Sequence, residues 1–218
     1  MRRHGLAIAI VGFTLSAHAE EKPPKVVLIG DSIRLGYAPL VQKKLEGKAT
    51  IISPAQNGFD SKNVLAKLDE WVVREKPALV HLNCGLHDLK FDKAKKQHQV
   101  PLDQYEKNLR SIVERIRKDT SAVLVFATTT PIHDERHAKR KASFDRFEAD
   151  VLKYNALAEK VMGERKVPLD DLHAIVVKGG MEKMLSNDGT HYTKDANEVL
   201  ASAVAESILR HLPAAKGK

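Results

Sequence analysis

The chain has 218 residues, of which 43% are hydrophobic, 29% charged and 5% aromatic, with a formal net charge of +8. That length accommodates one domain with a sizeable core, and the single cysteine, Cys84, excludes an intramolecular disulfide. The basic residues are spread along amphipathic segments rather than gathered into one stripe, so nucleic acid is not an expected partner.

Arg2, Arg3 and His4 precede an apolar and small-residue run, Gly5 to Leu15, which Ala17-His18-Ala19 follows. This is the pattern of a secretory signal peptide. The run falls short of the roughly 20 residues that a membrane-spanning helix needs. The expectation is a removable leader over residues 1–19 and a single domain over residues 20–218. The mature protein would be secreted or periplasmic, with no stable membrane insertion.

Lys25 to Ile29 is an apolar, β-branched run that stops at Gly30-Asp31. Leu35 to Leu45 has apolar residues at helical spacing. Ala49 to Ile52 is a second short run, ended by Pro54. Val64 to Val73 again reads as a helix, and Ala78 to Leu82 as a strand between Pro77 and Gly85. Leu102 to Ile116 is a long amphipathic helix. Ser121 to Thr128 is a fourth strand, and Phe144 to Met162 another helix. Val167 to Leu169 is a short fifth strand, and Asp195 to Leu209 a closing helix. Pro131 to Ala142 reads as the polar loop most suited to move or to act as a lid. Strands alternating with helices of this length predict βαβ units and a mainly parallel five-stranded sheet covered on both faces, an α/β fold. In such sheets the site lies beyond the carboxyl ends of the strands. The least ordinary residues fall there: Gly30-Asp31-Ser32, Asn57-Gly58, and Asn83 to Asp88.

Gly30-Asp31-Ser32 can present a serine hydroxyl at a helix N-terminus, where backbone N–H groups would stabilise an oxyanion. Equally, Asp31 or Ser32 can be a plain helix cap. Asp188-Gly189-Thr190-His191 places a carboxylate three residues before a histidine in a glycine-containing turn. That suits a base held in one tautomer, though a surface turn would read the same way. Cys84 ends an apolar run and reads as a small buried hydrophobe. Among the ten histidines, His81 and His87 with Asp88, and His133 with His137, lie close in sequence. Neither group forms a ligand motif with a third ligand at a fixed spacing. No metal and no cofactor is expected.

The pieces in order resemble the SGNH (GDSL-type) esterase and lipase family: Gly-Asp-Ser, then Asn-Gly, then Gly-x-x-Asp, then Asp-x-x-His before the last helix. The resemblance runs from Val26 to about Ala205. It implies a flavodoxin-like three-layer α/β/α sandwich and ester hydrolysis through an acyl-enzyme. By matched position Ser32 is the nucleophile, His191 the base and Asp188 its partner. Gly58, beside the Ser32 N–H, would give its own N–H to the oxyanion. One block departs from the pattern: Gly85-Leu86-His87-Asp88 has histidine where the family has asparagine. Either His87 is the third oxyanion donor, since imidazole can donate, or Asn83 reaches in. Asp88 is expected to hold loop backbone. Arg34 reads as a solvent-facing helix residue, with contact to an acidic sugar as the alternative. The implied partner is a small-molecule or glycan ester. The leading expectation is an exported carbohydrate O-acetylesterase. A lysophospholipase or thioesterase-like lipid esterase and a non-catalytic glycan-binding module are the alternatives. A phosphate-binding protein of the same fold would leave Asp188 and His191 without a role.

Overall fold

Five short runs of apolar residues form the centre of the molecule, because a strand buried on both faces must be apolar along its whole length. The computed structural model describes residues 22–214. The leader expected over residues 1–19 lies outside them.

The elements follow in the order β1 (Lys25–Ile29), α1 (Ser32–Lys44), β2 (Thr50–Ile52), α2 (Ser61–Leu68), β3 (Leu79–Leu82), β4 (Phe91–Asp92) and β5 (Gln97–His98). Then come α3 (Leu102–Asp119), β6 (Val123–Ala127), α4 (Asp134–Lys139), β7 (Phe144–Asp145), α5 (Glu148–Glu164), β8 (Leu169–Asp170), α6 (Leu172–Gly179), α7 (Met181–Met184) and α8 (Lys194–His211). A π-helical turn, Asp69–Val73, prolongs α2 and buries Trp71 and Val72.

The main sheet has the order β2-β1-β3-β6-β8, with every pair parallel. Helices α1 and α8 pack together, as do α2 with α3 and α3 with α5. The result is the three-layer α/β/α sandwich the sequence predicts. Val26, Val27 and Leu28 of β1 and Leu79, Val80 and Leu82 of β3 are fully buried. Each such side chain contributes about 1.5–3 kcal/mol. From β1 the chain passes to β2 on one side and then to β3 on the other. That reversal opens a crevice at the carboxyl ends of β1 and β3, where Ser32 and His87 lie.

Three expectations are corrected. First, α1 begins at Ser32 rather than Leu35, because Asp31 caps it: Oδ1 accepts the Ile33 N–H at 2.9 Å. Second, the helix expected from Phe144 begins at Glu148, because Phe144 and Asp145 pair with β4 instead. With β5 they complete a small antiparallel sheet, β5-β4-β7. Third, the polar segment Pro131 to Ala142, expected as a loop, contains the helix α4. Helices α6 and α7 had no counterpart in the sequence reading. Among the described residues, no helix is long and apolar enough to cross a membrane.

Candidate active site

The turn from β1 into α1 is held from below by a buried arginine. Arg34 is only 2% exposed. Its guanidinium donates to the carbonyls of Gly30 (3.0 Å), Pro54 (2.6 Å) and Gln56 (2.7 Å) and to the Ser53 hydroxyl (2.8 Å). Arg34 therefore neither faces solvent nor contacts a sugar. It clamps the Ser32 turn to the loop after β2. A second bond across the same gap runs from the Gly58 N–H to the Gly30 carbonyl, at 2.9 Å. The backbones come so close that a Cβ at Gly58 would stand 2.6 Å from that oxygen. Only glycine fits there.

The turn before α8 delivers the second group of residues. Asp188 Oδ1 accepts the N–H groups of Thr190 and His191, each at 2.9 Å, and the Ser186 hydroxyl at 2.8 Å. Its Oδ2 lies 2.6 Å from His191 Nδ1. On the other side of the ring, Nε2 lies 2.9 Å from Ser32 Oγ. The three side chains thus form one hydrogen-bonded line from carboxylate to imidazole to hydroxyl. Burial would raise the Asp188 carboxyl, but the His191 ring and the backbone N–H groups outweigh it and hold the group below the usual carboxylate range. A carboxylate that stays ionised keeps Nδ1 protonated and leaves Nε2 free to accept a proton. Such a line can deprotonate a serine hydroxyl as it attacks a carbonyl.

Helix α4 braces this turn. Gly189 takes φ +68°, and a Cβ there would lie 2.6 Å from the His133 carbonyl. The His133 N–H donates to the Gly189 carbonyl at 2.9 Å, His137 Nδ1 lies 3.2 Å from Thr190 Oγ1, and Arg136 donates to the Leu185 carbonyl at 3.0 Å.

The chain after β3 forms the remaining wall. Asn83 donates its amide to the Ala127 carbonyl at 2.8 Å, across to β6. Asp88 is buried and accepts the Ser61 N–H at 3.0 Å and its hydroxyl at 2.5 Å, fastening this loop to the start of α2. His87 is 7% exposed, and its ring stands edge-on to Phe59 with centroids 5.5 Å apart. Burial, reinforced by the charges of Lys90 and Arg146, pushes the His87 imidazole down to about 3. It is neutral at ordinary pH, with a single N–H to donate. Cys84 is buried and burial raises its thiol well above the usual value, so it is no nucleophile. Among the described residues, no group of three His, Cys, Asp or Glu side chains is placed to hold a metal ion.

Residues 28–199 match the model of the GDSL-like lipase/acylhydrolase family. The chain belongs to that family. Within it, ester hydrolysis is the shared chemistry, and the matched span contains Ser32, Gly58, His87, Asp188 and His191. The mouse isoamyl acetate-hydrolyzing esterase 1 homolog is 25% identical to this chain over 195 residues. That alignment covers 81% of this chain and 78% of the mouse protein. Solved structures share the fold. The lipase/acylhydrolase of Enterococcus faecalis superposes with a TM-score of 0.74 at 22% identity, over 89% of this chain and all of that one. The acetylxylan esterase Axe2 of Geobacillus stearothermophilus gives 0.69 at 21% identity, over 88% and 95%.

The GDSL-type motifs did not point to two further residues at this site. Arg146 is 5% exposed, and its Nε donates to the Leu86 carbonyl at 2.9 Å, next to His87. Arg140 Nη1 lies 3.8 Å from Asp188 Oδ2. Both fall in stretches that read as a solvated loop or helix, and no periodicity distinguishes them from surface cations.

Proposed function

We propose that this chain is an exported serine esterase that removes short acyl groups, above all acetyl groups, from carbohydrate. The observation that carries the reading is the unbroken line Ser32–His191–Asp188 at the carboxyl end of β1. Ser32 Oγ attacks the ester carbonyl while His191 Nε2 takes its proton. The alcohol leaves with that proton, and water then releases the acid by the same route. No cofactor enters either half.

In this reading the oxyanion rests on three donors. The Ser32 N–H is one. The Gly58 N–H, bonded to Gly30 at rest, is shared with the developing charge. The third is assigned to His87, whose ring makes no hydrogen bond of its own among the described residues, whereas the Asn83 amide gives one N–H to the Ala127 carbonyl. Acetyl preference is supported by the names of two similar proteins, an isoamyl acetate-hydrolyzing esterase homolog and an acetylxylan esterase. Export is supported by the leader pattern of residues 1–19.

A chain-length series of aryl esters, run beside acetylated polysaccharide with Ser32→Ala as control, tests it. Acetate esters should be the best substrates, with acetate released from the glycan. Preference for long acyl chains would favour a lysophospholipase or thioesterase-like enzyme. A glycan-binding module without activity would leave Ser32 unlabelled by an organophosphonate, whereas the esterase reading requires labelling that His191→Ala abolishes.

A further inference from the structure

Arg146 is the feature that the proposed chemistry leaves unexplained. It is a buried cation, and desolvating a guanidinium without a counter-ion is costly. Its Nε holds the Leu86 carbonyl. Among the described residues, its two Nη groups have no hydrogen-bond or ion-pair partner, and they keep contact with solvent. Beneath it lies the Phe144 ring, whose centroid is 5.1 Å from Cζ, and Lys90 Nζ stands 4.8 Å from the same centroid. Arg140 is the third cation, against the outer edge of Asp188. Arg140 stands at Asp188 and Arg146 at the Leu86 carbonyl beside His87, so the cluster lies on the His87 and α4 side of the site.

The nearby carboxylates complete this cluster only in part. Asp188 bonds His191 and stands 3.8 Å from Arg140, so it answers one of the three cations. Asp60 accepts the Asn63 N–H at 2.9 Å and the Gln99 amide at 2.7 Å. Asp31 is fully buried, with Oδ1 bonded to the Ile33 N–H, and makes no ion pair with Arg146 within 4 Å. A cleft of about 490 Å³ over the small sheet shares Lys90 and Phe144 with the cluster and is lined further by Asp92, Lys95, Gln97 and Gln99. Asp92 is paired with Lys95 at 3.7 Å. The lining is polar, has room for sugar units, and leaves a positive balance.

We propose that Arg146, Arg140 and Lys90 form a carboxylate receptor beside the nucleophile, and that the substrate is an acetyl ester on an acidic glycan, one built with uronic acid units. This rests on the esterase reading above. Arg146 presents paired Nη donors, the geometry that a carboxylate takes in two parallel bonds. The sugar carboxylate fixes the acetylated hydroxyl over Ser32, and the neighbouring sugars lie in the cleft. Binding the anion also neutralises the uncompensated cation.

The test compares kcat/KM for three substrates: acetylated oligogalacturonate, acetylated xylo-oligosaccharide and 4-nitrophenyl acetate. The acidic glycan should exceed the neutral one by about 10- to 100-fold, the range for hydrogen bonds to charged groups. Added salt should erode that ratio. Lys90→Ala and Arg140→Gln, both on the accessible side of the cluster, should each lower the ratio, mainly through KM. Arg146→Lys should lower it further, because an ammonium cannot make the paired contact. Lys160→Ala, on the exposed face of α5, controls for loss of overall charge and should keep the ratio. Equal rates on acidic and neutral glycans, or a ratio unmoved by all three variants, overturn the proposal. So does a preference for 4-nitrophenyl hemisuccinate over the acetate, which would put the carboxylate on the acyl side. Failure to hydrolyse 4-nitrophenyl acetate sinks the esterase reading itself, a separate outcome.

Discussion

Replacing His87 separates two roles that one side chain combines. In the folded chain its imidazole is held down at about 3, against 6.5 for the free group, first by burial and then by Lys90 and Arg146. Between those values the unfolded chain binds a proton that the folded chain refuses. Stability therefore rises with pH across the window and is lost as pH falls from 6.5 towards 3. From pH 7 to pH 4 the loss is about 3 kcal/mol, at roughly 1.4 kcal/mol per unit. A His87→Asn variant has nothing to titrate there, so its stability curve should be flatter in acid by about that amount. Urea unfolding at pH 7, 5.5 and 4 measures the difference between the two proteins. Activity gives the second readout. If His87 donates to the oxyanion, His87→Ala should lose about 10²–10³ in kcat, while His87→Asn, which keeps an N–H donor, should recover much of it. Parallel stability profiles for wild type and variant would refute the neutral, buried imidazole. Full activity in His87→Ala would refute the donor role.

Two other perturbations bear on the site and on the core beneath it. Asp188→Asn keeps the shape of the turn but removes the ionised partner of His191 Nδ1. The expected loss in kcat is about 10³–10⁴, read in steady-state kinetics, with thermal unfolding showing that the fold survives. In the core, His81 Nε2 and Asp170 Oδ2 lie 2.8 Å apart, both buried. Asp170→Ala leaves that imidazole with no partner and should cost about 2–4 kcal/mol, seen as a lower urea midpoint, with kcat per folded molecule little changed.

The parallel sheet was legible because its strands bury both faces and so read as plain apolar runs. The paired motifs at the two ends of the chain pointed to Ser32 and His191, and these sit 2.9 Å apart. The small antiparallel sheet was not legible, and physics gives the reason. Its strands are two residues long and pair across wide gaps, Phe91 with both His98 and Asp145. Their partners, not their own pattern, make them strands. For the same reason the start of α5 was misplaced by the apolar Phe144. Arg34 illustrates a different limit. A helical position next to the nucleophile reads as exposed until the loop after β2 folds over it and supplies two carbonyls and a hydroxyl. Arg140 and Arg146 are invisible for a related reason. Their importance lies in what surrounds them, and neither position stands out from the other cations of the sequence.

The proposed nucleophile and its proposed base are drawn from opposite ends of the chain, 159 residues apart, and His191 arrives on the turn that precedes the last helix. During synthesis, Ser32 emerges early and then waits. In the proposed mechanism the serine lacks its base until the Asp188 turn is made and braced by α4. A chain cut short before that turn carries every strand of the sheet but neither Asp188 nor His191.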